Sequence, residues 1–200
     1  KAIICEPDNH LVKKIKAFKP DVVFNALHGR FGEDGYIQAL LERMNVKYTH
    51  SGVTASYVAM DKELSKKIFL KNNIKTPKYL KYIFNNGTKI NKNIILNIKK
   101  KLKFPVVIKP INEGSSVNVF ICNEKNLIIN LRKLSTYKEV LIEEFIPGRE
   151  IQVAIMGEKK LGAIELKPKR KFYDYEAKYN IKAKTQHIIP VDISRDNFKK

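Results

Sequence analysis

Phe104-Pro-Val-Val-Ile-Lys-Pro110 runs almost directly into Asn112-Glu-Gly-Ser-Ser-Val-Asn118. A β-branched run too short for a helix ends in a lone cation, and a small, hydroxyl-rich segment follows. This layout suits phosphate. The strand holds the Lys109 ammonium in place, Gly114 lets the backbone approach a ligand, and Ser115 and Ser116 offer N–H and O–H donors to anionic oxygens. A buried strand followed by an ordinary Gly-Ser turn has the same appearance, so other segments must decide.

Further residues could carry chemistry. In Val140-Leu-Ile-Glu-Glu-Phe-Ile146, strand alternation puts Glu143 and Phe145 on one face, and a solvent-facing glutamate is the plain alternative for Glu143. His28 follows a strand end, where a lone histidine commonly makes a structural hydrogen bond. Glu33 and Asp34 open a helix, where the dipole favours carboxylates, and are expected to hold the loop. Tyr173 and Tyr175 are expected to steady a loop as half-buried aromatics. Cys5 and Cys122 form no CxxC pair and lack a nearby His cluster, so both are expected as buried, reduced thiols.

The elements that must position these residues follow in an informative order. Ala2 to Cys5 is a short apolar run, Leu11 to Phe18 has helical spacing, and Asp21 to Leu27 reads as a buried strand, a βαβ pattern that predicts a parallel-sheet layer. The loop His28-Gly-Arg-Phe-Gly-Glu-Asp-Gly35 then leads into a helix with Ile37, Leu40, Leu41 and Met44 on its apolar face. Ligands bind at such carboxyl ends of parallel strands. Asp61 can cap a helix whose Leu64, Ile68 and Phe69 face inward, with Pro77 beyond its end. Next come a strand near Tyr79 to Phe84, a basic helix near Ile94 to Leu102, strands at Val106 to Lys109 and near Val117 to Cys122, a helix around Leu127 to Leu134, and the strand Val140 to Ile146. This middle third is an α+β unit. Beyond Pro147-Gly148 the chain turns to strand, Glu150 to Met156 and Leu161 to Lys167, joined by the Gly157-Glu-Lys-Lys160 turn. Lys1 leads straight into an apolar run and Ser194 to Lys200 resembles the first turns of a helix, so the chain is expected to be part of a longer protein.

At 200 residues and 44% hydrophobic, the chain can bury a substantial core. No apolar run approaches the ~20 residues of a membrane helix, and the expectation is a cytoplasmic protein without membrane insertion. Lys plus Arg total 39 against 20 acidic residues, a formal charge of +19. The lysines are spread over helices, a connector and loops, and Lys outnumbers the Arg favoured for base and bidentate phosphate recognition. Low-salt affinity for polyanions follows from such charge, without a specific nucleic-acid partner.

The motifs together resemble a known family. His28 to Gly35, Met60-Asp-Lys62, Val107-Ile-Lys-Pro110, Glu113-Gly-Ser-Ser-Val117, Leu141-Ile-Glu143, Gly148-Arg-Glu150 and Phe172-Tyr-Asp-Tyr-Glu-Ala-Lys-Tyr179 occur in the order and approximate spacing of D-alanine–D-alanine ligases, a branch of the ATP-grasp superfamily. The resemblance implies a fold of class α/β and α+β: an incomplete pre-ATP-grasp parallel α/β layer over residues 1–60, followed by an incomplete ATP-grasp fold. Residues 61–146 would be its central subdomain and 147–200 the start of its C-terminal subdomain, with the lid loop.

The resemblance also implies ATP-dependent joining of two D-alanine molecules through an acyl phosphate, for peptidoglycan precursors. Lys62 and Lys109 would reach the ATP phosphates, with Lys178. Ser115 and Ser116 would lie in a loop over the nucleotide, Ser115 also orienting a lid residue and substrate. Backbone groups of Phe145 and Ile146 would meet the adenine edge, Glu143 its amino group, and Glu150 the ribose hydroxyls. Lys178 and Tyr179 would come from the lid, and His28 would lie near the first D-alanine carboxylate. The family's two Mg2+ (or Mn2+) ions would take ligands beyond residue 200, and its Gly-rich first loop would precede Lys1, so the 200 residues alone are expected not to ligate. The basic stretch Asn180-Ile-Lys-Ala-Lys184 departs from the polar or acidic residues common after the family's lid. A homodimer is common in the family. Rival readings are another ATP-grasp carboxylate–amine ligase, including D-lactate and D-serine variants, and a non-enzymatic polyanion-binding module.

Overall fold

The structure is a computed structural model that describes residues 1–84, 90, 92–169, 178, 180, 183–194 and 196. It divides into two compact units, Lys1–Ser65 and Lys66–Lys200.

The first unit packs α1 (Leu11–Phe18) and α2 (Tyr36–Arg43) through Leu11, Ile15, Ile37 and Leu41, with Leu27, Leu40, Val46 and Tyr48 around them. The i, i+4 spacing of Leu11 with Ile15 and of Ile37 with Leu41 puts each pair on one helical face. Two expectations are corrected here. Neither Ala2–Cys5 nor Asp21–Leu27 is a strand, and parallel pairing among the described residues is reduced to a bridge between Val23 and Tyr48. Ile4 is 96% and Phe24 75% exposed, so the two-sided burial that stabilises a parallel strand is lacking. Cys5 is half-buried, not buried. A helix the sequence reading did not anticipate, α3 (Val53–Met60), follows Gly52.

α4 (Lys62–Lys71) begins in the first unit and ends in the second. Asp61 caps it, its Oδ1 accepting the Leu64 N–H at 2.9 Å. The inward face expected for Ile68 and Phe69 is not formed: they are 44% and 40% exposed. The buried position on α4 is Lys66, because the surroundings there offer polar acceptors that an ammonium satisfies and an alkyl group cannot.

The second unit contains a four-stranded antiparallel sheet ordered β1 (Tyr79–Ile83), β4 (Glu139–Glu144), β2 (Val106–Pro110), β3 (Phe120–Cys122). One face, with Leu80, Tyr82, Val106, Ile108, Cys122, Val140 and Ile142, is covered by α5 (Asn93–Lys99) and α6 (Leu127–Lys133) through Ile98, Leu127 and Leu131. Each such side chain contributes about 1.5–3 kcal/mol on burial, so this face anchors the sheet. Alternation turns Tyr79, Val107, Lys109, Leu141 and Glu143 to the opposite face. β3 is shorter than its sequence pattern, starting at Phe120.

A second antiparallel sheet joins β5 (Glu150–Met156), β6 (Lys159–Lys167) and β7 (Gln186–Ile188), the last not foreseen in the sequence. β5 and β6 form a hairpin closed by Gly157 and Glu158, where Gly157 has φ 59°, a left-handed turn position that glycine occupies without strain.

Candidate functional site

On the polar face of the four-stranded sheet, Lys109 stands opposite Leu141 and Val107 opposite Glu143. The Lys109 Nζ donates to Glu143 Oε1 across this diagonal. Glu143 is 7% exposed, and its second oxygen, Oε2, is 2.9 Å from Lys66 Nζ. The glutamate is therefore a buried anion shared by two cations, not the solvent-facing strand residue of the plain alternative. Lys66 escaped the sequence reading, where it counted among surface helical lysines. No signal in the sequence separated it from its neighbours Lys67 and Lys71, because Leu64, Ile68 and Phe69 offered the apolar face expected to be buried. Two ammoniums against one carboxylate leave the cluster with one surplus positive charge, and the Lys109 side chain, 20% exposed against 6% for Lys66, presents it outward.

The Gly-Ser-Ser segment leaves the end of β2. Its left-handed backbone falls on Ser115 (φ 50°), Ser116 (φ 60°) and Asn118 (φ 55°), and not on Gly114. Such conformations cost non-glycine residues about 1–2 kcal/mol each and persist where the surroundings enforce them. The enforcing contacts include the Val117 N–H donating to Gly114 O at 3.0 Å and Asn118 Nδ2 donating to Tyr137 Oη at 2.8 Å. Ser115 and Ser116 are half-buried.

Past the end of β4, the Phe145 N–H donates to Pro105 O at 3.1 Å. That amide is thus committed within the fold, while Ile146 is 61% exposed. Glu150 opens β5. Partial desolvation raises its carboxyl above the usual range, and the nearby Lys178 charge pulls it partly back. The preceding Arg149 is an anchor: Nε and Nη2 grip Glu165 Oε1 and Oε2 at 2.9 and 2.6 Å, and Nη1 donates to Asp192 O at 2.7 Å. This fork ties β5 to β6 and to the segment after β7, and so orients the start of β5.

In the first unit, His28 lies exposed at the head of a braced loop. Glu33 Oε2 accepts the Gly29 N–H at 2.6 Å, while Asp34 accepts from Phe31 N–H at 2.9 Å and from Tyr36 N–H at 3.1 Å. The carboxylates hold the loop, as expected from their position. Asn25 Nδ2 and Gln38 Nε2 both donate to Gly32 O, at 2.9 and 2.8 Å. A Cβ on Gly32 would lie 2.4 Å from the Leu27 Cβ, so only glycine fits there.

Lys62 sits half-buried in the first turn of α4, in the first unit, while Lys109, Ser115, Ser116, Glu143, Phe145, Ile146, Glu150 and Lys178 belong to the second. Tyr179, Tyr173 and Tyr175 lie outside the described residues. Among the described residues, no three His, Cys, Asp or Glu side chains gather as a metal site. No helix among them is long and apolar enough to cross a membrane. Cys122 is buried, which pushes its thiol upward, and Asn130 Nδ2 lies 3.5 Å from its Sγ.

A surplus cation on a rigid strand, a strained hydroxyl-bearing turn at that strand's end and a carboxylate at the head of the next sheet suit a ligand combining phosphates with hydroxyl donors. Comparison with known proteins bears on the family. A family model described as D-ala D-ala ligase C-terminus matches residues 68–200, and one described as D-ala D-ala ligase N-terminus matches residues 5–51. The chain is 66% identical over 200 residues to a D-alanine–D-alanine ligase of Pelagibacter ubique, covering 100% of this chain and 65% of that protein. It is 42% identical to one of Wolbachia pipientis, covering 99% of this chain and 61% of the relative. The crystal structure of a Bacillus anthracis D-alanine–D-alanine ligase superposes with a TM-score of 0.77 at 32% identity, over 97% of this chain and 62% of that one. A second Bacillus anthracis structure, complexed with ATP, gives 0.71 at 28% identity, over 95% and 58%. The chain spans less than two thirds of the length of these relatives, and its mixed helix and sheet architecture is that of part of an ATP-grasp protein. With both family models in chain order, and the C-terminal one covering most of the residues, the chain belongs to the D-alanine–D-alanine ligase family.

Proposed function

We propose that the protein joins two D-alanine molecules in an ATP-dependent reaction that supplies peptidoglycan precursors in the cytoplasm. The observation that carries this reading is the Lys109 ammonium held against buried Glu143 beside the strained Ser115–Ser116 turn. It is supported by the family membership and by the ATP complex of the Bacillus anthracis ligase.

The chemistry asks for these groups. The carboxylate of the first D-alanine attacks the γ-phosphorus of ATP, ADP leaves, and an acyl phosphate forms. The amine of the second D-alanine adds to its carbonyl, and the tetrahedral intermediate expels phosphate and loses a proton. Charge builds on the transferring phosphoryl group, so positioning and cationic stabilisation dominate.

In this reading Lys62, Lys109 and Lys178 bind the phosphates, Ser115 and Ser116 cover them, and Ser115 orients a lid residue and substrate. Glu143 retains lone pairs for the adenine amino group beyond those given to Lys66 and Lys109. Because the Phe145 amide is committed to Pro105, the exposed Ile146 is the better main-chain partner for the adenine edge. Glu150 takes the ribose hydroxyls, His28 the first D-alanine carboxylate, and Tyr179 with Lys178 closes the lid against water. Magnesium, when bound, neutralises phosphate charge, and none of the described residues is assigned to it. In the same reading residues 1–60 belong to the N-terminal α/β domain, 61–146 form the ATP-grasp central subdomain and 147–200 begin the C-terminal subdomain with the lid loop, and the homodimer common in the family is the assembly to test for.

The test is D-alanine-dependent phosphate release from Mg-ATP by the protein at its relatives' full length, with D-lactate, D-serine and L-alanine as competing second substrates. D-alanyl-D-alanine as the main product supports the reading. A preference for D-lactate or D-serine, or no turnover, overturns it.

A further inference from the structure

Lys66 has no part in the chemistry above, yet its ammonium is buried and fully coordinated. It is 5% exposed, and its Nζ lies 2.7 Å from Thr76 Oγ1, 2.9 Å from Pro77 O and 2.9 Å from Glu143 Oε2. Three acceptors match the three N–H donors of an ammonium. Its Nζ also stands 5.1 Å from the centroid of the Tyr79 ring, within cation–π range.

Stability alone does not account for this arrangement. A buried ion pair contributes little over well-packed apolar residues of similar volume, whereas removing one partner is strongly destabilising. The asymmetry of the cluster is more telling. Thr76 and Pro77 hold Lys66 in addition to Glu143, while Lys109 bonds to Glu143 and is the more exposed of the two lysines. One cation is anchored and the other can exchange partners.

Resting on the reading that a nucleotide binds at Lys109, we infer that Lys66 is a positioning residue that keeps Glu143 charge-balanced and oriented when Lys109 leaves it for a phosphate. No proton moves in this exchange: Lys109 trades a carboxylate oxygen for a phosphate oxygen, and Glu143 keeps its ion pair with Lys66. Without Lys66, the departure of Lys109 strands a buried carboxylate, which must then take a proton from solvent. Among the described residues, Lys66 from α4, Tyr79 in register on β1 and Lys109 on β2 face Glu143, and Lys81 lies diagonal to it on the same face of β1. Lys81 pairs with Glu139 at 3.1 Å.

The experiment is calorimetric titration of the protein with ATP at about pH 7.5 to 9, in buffers of different ionisation enthalpy, which reads the number of protons taken up on binding. The unaltered protein is expected to take up none. Lys66→Met is expected to bind with net proton uptake, its Kd rising with pH by at most about tenfold per pH unit. Lys66→Met binding with no proton uptake would overturn the inference and leave the nucleotide reading standing. No ATP binding by the unaltered protein would overturn both. Should Lys66→Met fail to fold, Glu143→Gln and the double variant Lys66→Met/Glu143→Gln carry the test. Equal ATP affinity, within about twofold, is expected if Lys66 acts only through Glu143, and a double variant weaker by about tenfold would overturn the inference.

Discussion

Lys109 on β2 and Glu143 on β4 are diagonal neighbours across antiparallel strands, and their ion pair fixes where the positive end of this sheet face points. The pair is backed by a covered core on the other face of the same strands, so the ammonium is presented from a rigid base.

Replacing Lys109 tests the centre of the proposed site. Hydrogen bonds to charged groups contribute about 1.5–3 kcal/mol, so Lys109→Met is expected to weaken ATP binding by about ten- to a hundredfold. Glu143 keeps Lys66 as a partner, so the fold should survive. Lys99→Ala, which removes an exposed ion pair with Glu124 at 2.7 Å, should leave ATP affinity unchanged. Equal losses of RNA affinity in both variants, with no ATP binding in the unaltered protein, would instead favour a general polyanion binder.

Tyr137 holds the Ser115–Ser116 turn through Asn118. Tyr137→Phe removes that acceptor at small cost in packing. A neutral hydrogen bond is worth about 0.5–1.5 kcal/mol, so ATP affinity should fall by about two- to tenfold while the unfolding midpoint changes little. Unchanged affinity would show that the turn is held by its other contacts.

Arg149 and Glu165 provide a pH test. The Arg149 hydrogen bonds hold the Glu165 carboxyl below the usual range. A depressed folded value means the pair stabilises above the unfolded carboxylate value and is lost as pH falls through the folded one. In Arg149→Gln, the Glu165 carbon resonance should titrate nearer the ordinary carboxylate value, and the acid limb of the pH–stability curve should flatten. A resonance that titrates as before would exclude Arg149 as the cause.

Gly32 tests the loop that carries His28. A methyl group at Gly32 would meet Leu27 Cβ at 2.4 Å and its backbone carbon at 2.8 Å, so Gly32→Ala must displace backbone. A loss of about 1–3 kcal/mol is expected from urea unfolding followed by tyrosine fluorescence. A variant as stable as the parent would mean the loop relaxes without cost.

The helices and strands of the second unit were legible because each apolar face is written locally. Ile94 with Ile98 and Leu127 with Leu131 recur at helical spacing, and Val106 with Ile108 and Val140 with Ile142 alternate. The first unit was less legible. Asp21 to Leu27 has the composition of a buried strand, but a strand exists only where a neighbour takes up its backbone groups, and here the ladder is limited to Val23, whose N–H donates to Lys47 O and whose carbonyl accepts from the Thr49 N–H in the bridge opposite Tyr48. α3 was missed because its apolar and polar residues do not segregate to opposite faces.

By itself, the amino-acid order determined the family, the residue types able to meet a polyphosphate, and the surfaces that must be buried, since motif spacing and periodicity are properties of a line. Tertiary structure alone decided that Glu143 is buried between two lysines, that one of them is Lys66, that Phe145 has already spent its amide, and that Arg149 is an anchor. The reason is physical: a side chain's charge partner is set by which strands and helices lie beside it, and Lys66 and Glu143 are joined only when α4 meets the sheet.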